Sequence, residues 1–105
     1  MTTARNKKIK YGLKELEKEF GPLTFGKLLE SYRLAEEISQ TEMAKRLKIS
    51  RQKLNDFEHG RRFPSLRMAA DVAEALGEHP PTWVSVVIEE MLREEDLDFK
   101  VTLAG

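Results

Sequence analysis

The stretch Ser39 to Arg62, SQTEMAKRLKISRQKLNDFEHGRR, holds two short helical patterns parted by only three residues. Ser39-Gln40-Thr41-Glu42 fits a capping box, in which a serine side chain takes up a first-turn N–H and the glutamate three residues on reaches back to the cap. The helix it opens would bury Met43, Ala44 and Leu47. It should stop before Lys48-Ile49-Ser50, because Ser50 is itself a good N-cap. The second helix, roughly Arg51 to Glu58, places Leu54 and Phe57 on one side, with Ile49 just ahead of them, and turns Arg51, Gln52, Asn55 and Asp56 toward solvent. His59-Gly60 offers a stop, since glycine tolerates the left-handed conformation in which helices often end. Two short helices, a sharp turn and an uncommitted polar face on the second have the layout of a helix-turn-helix, whose second helix can enter a DNA major groove.

The flanking sequence is helical too. Tyr11 to Phe20 carries Leu13, Leu16 and Phe20 on one face and ends at Gly21-Pro22, where proline disfavours a helical residue before it. Thr24 is a plausible N-cap for a helix reaching Glu37, with Phe25, Leu28, Leu29, Tyr32 and Leu34 to bury. Beyond Phe63-Pro64, Ser65 caps a helix in which Leu66, Met68, Ala69, Val72, Ala73 and Leu76 can close the core. His79-Pro80-Pro81 breaks the chain, Thr82 can cap, and Trp83 to roughly Glu95 shows a broad stripe of Trp83, Val84, Val87, Ile88, Met91 and Leu92. That stripe either meets a partner or packs on its own domain. Asp98 to Leu103 alternates apolar and polar residues, the pattern of a strand that would need a second copy or another protein's sheet edge as neighbour; a frayed terminus is the alternative. The expected fold is therefore all-α, compact, with five to six helices and room for a short C-terminal β-strand. Residues 1–23 are expected to form a basic tail and short helix, 24–78 the helix-turn-helix domain, and 79–105 a dimerisation or partner-binding end.

A chain of 105 residues, 40% hydrophobic and 34% charged, suits one small soluble domain. No apolar run approaches the ~20 residues of a membrane span, and MTTARNKKIK lacks the apolar stretch of a secretory signal, so a cytoplasmic protein is expected. There is no cysteine, hence no disulfide and no thiolate site. His59 and His79 lack any H-E-x-x-H setting, and the consecutive acids Glu94-Glu95-Asp96 point in different directions, so no metal, no cofactor and no catalysis are expected. The zero net charge conceals a division. Residues 39–67 hold eight basic against three acidic side chains, whereas 68–105 hold two against nine. A basic middle fits a polyanion, although a solvated mixed surface would carry the same charges.

From Phe25 to Gly77 the sequence resembles the Cro and phage-repressor type of helix-turn-helix regulator, the Xre family, with its lambda-repressor-like fold. The resemblance rests on Arg33, Ser39-Gln40, Met43-Ala44, Ile49-Ser50, Leu54, Glu58-x-Gly60, Pro64 and Ala75-Leu76-Gly77. It implies that Gln40 touches a phosphate and buttresses the recognition helix, that Ser50 contacts phosphate, and that Arg51, Gln52 and Asp56 face base edges. Lys53, Asn55, His59, Arg61 and Arg62 would add backbone or edge contacts. Arg33 and Glu58 would form a structural ion pair beneath the motif. The residue types suit these roles: Arg51 can offer two donors to guanine, Gln52 can pair with adenine, and Asp56 can accept from the cytosine amino group. An ordinary wet helix face is the alternative for Arg51, Gln52 and Asn55, and a solvated loop for Arg61-Arg62. Where the family often has glycine in the turn this chain has Lys48, so an adjusted turn is expected. The basic start, Arg5, Lys7, Lys8 and Lys10, is either a minor-groove arm or a disordered tail.

The resemblance implies double-stranded DNA as ligand and a homodimer that meets two half-sites about one helical turn apart. Many small relatives look like antitoxins, which bind promoter DNA and a toxin protein together. On either reading Trp83, Val87, Ile88, Met91, Phe99 and Val101 would contact the second chain.

Overall fold

Four of the five helices among the described residues begin on the same device. The side chains of Thr24, Ser39, Ser50 and Ser65 each accept a hydrogen bond from the backbone N–H three residues on, which satisfies one of the N–H groups the first turn leaves over. The computed structural model describes residues 21–104. They form α1 (Phe25–Ala35), α2 (Gln40–Leu47), α3 (Arg51–Glu58), α4 (Leu66–Ala75) and α5 (Pro80–Glu94). The protein is all-α over these residues. The helix expected at Tyr11 to Phe20 and the basic residues before it lie outside the described residues.

The fifth helix starts earlier than the sequence suggests. His79 is its N-cap, and Pro80 and Pro81 occupy its first turn instead of breaking the chain ahead of a cap at Thr82. Proline fits there because its missing N–H would be unpaired in any case and its φ is preset for a helix. The Thr82 hydroxyl instead lies 2.7 Å from His79 Nδ1.

Three aromatic rings tie the layers together. Phe25 meets Phe57 edge-on with ring centres 5.4 Å apart and Trp83 likewise at 6.0 Å, so α1, α3 and α5 share one core. Leu29, Met43, Leu54, Ala69, Ala73 and Val87 are fully enclosed around them. Trp83 and Val87, expected on a partner-facing surface, are thus taken up by the domain's own core; α4 and α5 pack along each other and draw them inward. Leu34, expected inside, is exposed. At about 100° per residue it lies on the side of α1 opposite Phe25.

Polar contacts tie α1 and the residues just before it to α5 and to the end of α4. The Phe25 N–H donates to Glu90 Oε1 at 3.0 Å, Arg93 donates to the Leu23 carbonyl at 2.9 Å, and the Tyr32 hydroxyl donates to the Leu76 carbonyl at 3.1 Å. Among the described residues there is no strand, so the strand expected at Asp98 to Leu103 does not form. That segment is held to α5 by side chains: Val101 N–H donates to Glu89 Oε2 at 2.9 Å, and Lys100 lies 3.8 Å from the other Glu89 oxygen. A segment with no ladder partner has no reason to take up a sheet register.

Candidate nucleic-acid interface

The turn between α2 and α3 is made by Lys48. Its φ of 59° and ψ of 42° are left-handed, and its N–H reaches the Ala44 and Lys45 carbonyls. The turn is not reshaped to spare a non-glycine residue; Lys48 simply adopts the strained conformation, at a cost of about 1 kcal/mol. The Ile49 N–H then donates to the Ala44 carbonyl at 3.0 Å, and Ser50 starts α3 at once.

Beneath the motif, Arg33 Nε and Nη2 donate to Glu58 Oε2 and Oε1 at 2.9 and 3.1 Å. The Glu58 side chain is 1% exposed and that of Arg33 14%. The hydrogen bond to Glu58, against an opposing effect of burial, raises the Arg33 pKa above its ordinary value. Arg33 also donates through Nη1 to the Ile38 carbonyl at 3.3 Å, just ahead of α2. Gln40 extends this arrangement outward. Its amide nitrogen donates to Glu58 Oε1 at 3.1 Å, while its oxygen accepts from Arg51 Nη1 at 3.1 Å and Asn55 Nδ2 at 3.3 Å. The neighbours dictate that orientation, because a carboxylate can only accept and a guanidinium can only donate.

The outer face of α3 carries a second set of contacts. Gln52 Nε2 donates to Asp56 Oδ1 at 3.0 Å, and so does Arg61 Nε at 3.0 Å. Arg61 Nη2 also donates to Asn55 Oδ1. Arg61 reaches back because α3 ends in a Schellman arrangement: Gly60, at φ 72°, donates to the Phe57 carbonyl and the Arg61 N–H to the Asp56 carbonyl at 2.9 Å. The hydrogen bond from Arg61, with Gln52 adding to it and burial opposing, holds the Asp56 carboxyl below its usual range.

The residues singled out in the sequence thus fall into three groups. Arg51 and Gln52 are exposed with donors or acceptors to spare. Asn55 has its amide nitrogen on Gln40 and its oxygen under Arg61, so it is engaged within the protein. Ser50 Oγ serves as the cap, accepting from Lys53 N at 3.0 Å. The Lys53 ammonium sits 5.9 Å from the centre of the Phe57 ring, His59 Nδ1 lies 2.9 Å from the Asn55 carbonyl oxygen, and Arg62 is exposed on the loop beyond. At the other end, Met91 and Phe99 are exposed while Ile88 and Val101 are half-buried.

Sequence reading overlooked Gly26. A Cβ there would lie 2.3 Å from the Phe57 carbonyl oxygen and 2.9 Å from that of Glu58, so α1 touches the end of α3 backbone to backbone. A glycine inside the first turn of a predicted helix, where it weakens the helix, is the one signal that pointed to such an approach. Glu90 and Arg93, which no sequence pattern singled out, both reach across to the start of α1.

A family model described as a helix-turn-helix domain matches residues 24–82, more than half of the chain. No curated protein and no solved structure matches it. No helix among the described residues is long and apolar enough to cross a membrane.

Proposed function

This chain belongs to the helix-turn-helix domain family, and on that premise we propose that it is a sequence-specific DNA-binding transcriptional regulator of the Cro and phage-repressor type. The observation that carries this reading is the exposed edge of α3. Arg51 and Gln52 stand on it side by side, on a helix braced from beneath by Glu58, Arg33 and Gln40. Arg51 keeps donors for the O6 and N7 of guanine, and Gln52 keeps its carbonyl oxygen for the adenine amino group. Lys53, Arg62 and the turn residue Lys48 supply charge for phosphates on either side. Fixed side chains on a short, capped helix suit base reading, because little ordering remains to be done on binding.

The regulator acts as a homodimeric repressor in the cytoplasm, with no cofactor, its two α3 helices meeting half-sites about one turn of DNA apart. Support for a second chain comes from the C-terminal end, where Met91, Leu97, Phe99 and Leu103 are exposed apolar residues. The acids around them, Glu94, Glu95, Asp96 and Asp98, favour a second reading of that end, in which it holds a basic toxin protein. Nuclease footprinting on the DNA upstream of the protein's own gene tests the primary reading: two protected half-sites in one register are expected, and protection spread evenly along the fragment contradicts it. Sedimentation of the wild type and of Phe99→Asp separates the two uses of the C-terminal end, a dimer converted to monomer favouring the repressor and a monomer in both favouring a different partner.

A further inference from the structure

Base reading by α3 has one problem of charge and one of availability. Asp56 places a carboxylate on the face meant for a polyanion, and Asn55, which has the right chemistry for adenine, has both ends of its amide in use. Both turn on Arg61. It is not part of the helix, and its backbone position follows from Gly60, whose left-handed φ returns the chain along α3 and lets the Arg61 N–H reach the Asp56 carbonyl. From there the guanidinium takes Asp56 Oδ1 through Nε at 3.0 Å and Asn55 Oδ1 through Nη2. Gln52 holds the same Asp56 oxygen from the other side at 3.0 Å.

Resting on the DNA-reading function proposed above, we propose that Arg61 is a specificity-determining positioning residue. By gripping Asp56 and Asn55 together it leaves Asp56 Oδ2 as the acceptor that selects a cytosine amino group and withholds the Asn55 amide from adenine.

The chemistry of each partner supports this division. Asp56 Oδ1 accepts from two donors, which leaves Oδ2 as the oxygen with acceptor capacity to spare; a cytosine amino group is the base-edge donor that suits a carboxylate acceptor. Arg61 sits on the Asn55 oxygen that a bidentate pair with adenine would use, while the second hydrogen of the Asn55 amide nitrogen stays available beside Gln40. Arg61 also sets a positive charge against Asp56 wherever the helix meets phosphate, so the pair presents little net charge. Because Arg61 sets its charge against Asp56 and not against a phosphate, its removal should leave the number of neutralised phosphates unchanged and act on the choice of base.

The test begins with duplexes enriched by the wild-type protein from a randomised pool, followed by binding of every single-base variant at two salt concentrations. Wild type, Arg61→Ala, Asp56→Asn and the double variant are compared. Arg61→Ala is expected to reduce the preference for cytosine at one base pair by about fivefold to a hundredfold and to admit adenine at a neighbouring pair; in the Asp56→Asn background it should leave the cytosine position unchanged and still admit adenine. Its salt dependence should stay that of the wild type. If Arg61→Ala instead weakens all duplexes equally, lowers the salt slope by about one phosphate contact and does so with or without Asp56, then Arg61 is an ordinary phosphate contact and the inference is wrong. A second readout needs no DNA: the Asp56 carboxyl, followed by NMR in the free protein, should titrate at higher pH in Arg61→Ala, and an unchanged titration rules out the grip. Failure of the wild type to enrich any sequence overturns the DNA-reading function itself, an outcome distinct from either of these.

Discussion

Glu58 and Arg33 face each other edge to edge, with Nε to Oε2 at 2.9 Å and Nη2 to Oε1 at 3.1 Å, and the Glu58 side chain is only 1% exposed. This pair joins the end of α3 to the last turn of α1. Because Gln40 donates to the same carboxylate and accepts from Arg51 and Asn55, the buried charges and the exposed face of α3 belong to one hydrogen-bonded chain. Such a pair contributes geometry more than net stability, since desolvation offsets much of the attraction.

Arg33→Ala should therefore be severe, leaving Glu58 buried without its charge partner, and a loss of about 3 kcal/mol is expected. Urea unfolding measures it. Arg33→Met combined with Glu58→Leu should cost less than Arg33→Ala alone, because neither charge is then left unpaired. A double variant less stable than the single one would mean that the pair itself supplies the stability.

Gly26→Ala should destabilise, by about 1 to 3 kcal/mol. Alanine in place of a helical glycine ordinarily helps. Here the added methyl would meet two backbone oxygens, Phe57 at 2.3 Å and Glu58 at 2.9 Å, and no rotamer change can relieve that. A raised melting temperature would show that α1 and α3 do not approach as closely as described.

Glu90 gives a pH dependence of definite sign. Burial pushes its carboxyl above the ordinary value, with the Phe25 N–H and Arg93 pulling the other way. The folded protein then binds more protons than the unfolded chain between the ordinary carboxylate pKa and the raised one, so this group's contribution to stability is present at low pH and is lost as pH rises through that window. Glu90→Gln keeps an acceptor for Phe25 and removes the charge. It should be more stable than the wild type at neutral pH, with the difference vanishing at about pH 3.5, below the ordinary glutamate value. Equal unfolding midpoints at both pH values would show that Glu90 is not penalised by its surroundings.

Local signals made α1 to α4 legible in the sequence. Each of Thr24, Ser39, Ser50 and Ser65 stands one residue before a helix that buries a three-and-four stripe, and the observed caps are those four. What escaped was set by contacts across the fold. Proline at Pro80-Pro81 reads equally as a break or as a first turn, and only the packing of Trp83 and Val87 against α1 and α4 decides where α5 begins. The strand pattern at Asp98 to Leu103 needed a partner strand that the chain does not supply to itself. On α3, periodicity turned Asn55 toward solvent, whereas the structure leaves it half-buried; that Gln40 and Arg61 occupy both ends of its amide depends on the turn at Gly60 and on where α2 lies. Gly26 illustrates the same point, since its neighbours lie more than thirty positions away in sequence at Phe57 and Glu58.

The central claim, that α3 reads bases through Arg51 and Gln52, is tested most directly by fluorescence anisotropy of the wild type and of Arg51→Ala/Gln52→Ala. The duplexes are the DNA upstream of the protein's own gene and a scrambled copy, each at two salt concentrations. The wild type should prefer the upstream duplex, and the double variant should lose about tenfold or more of that preference while still weakening with salt through its phosphate contacts. Equal, weak binding of both duplexes by both proteins would contradict the claim.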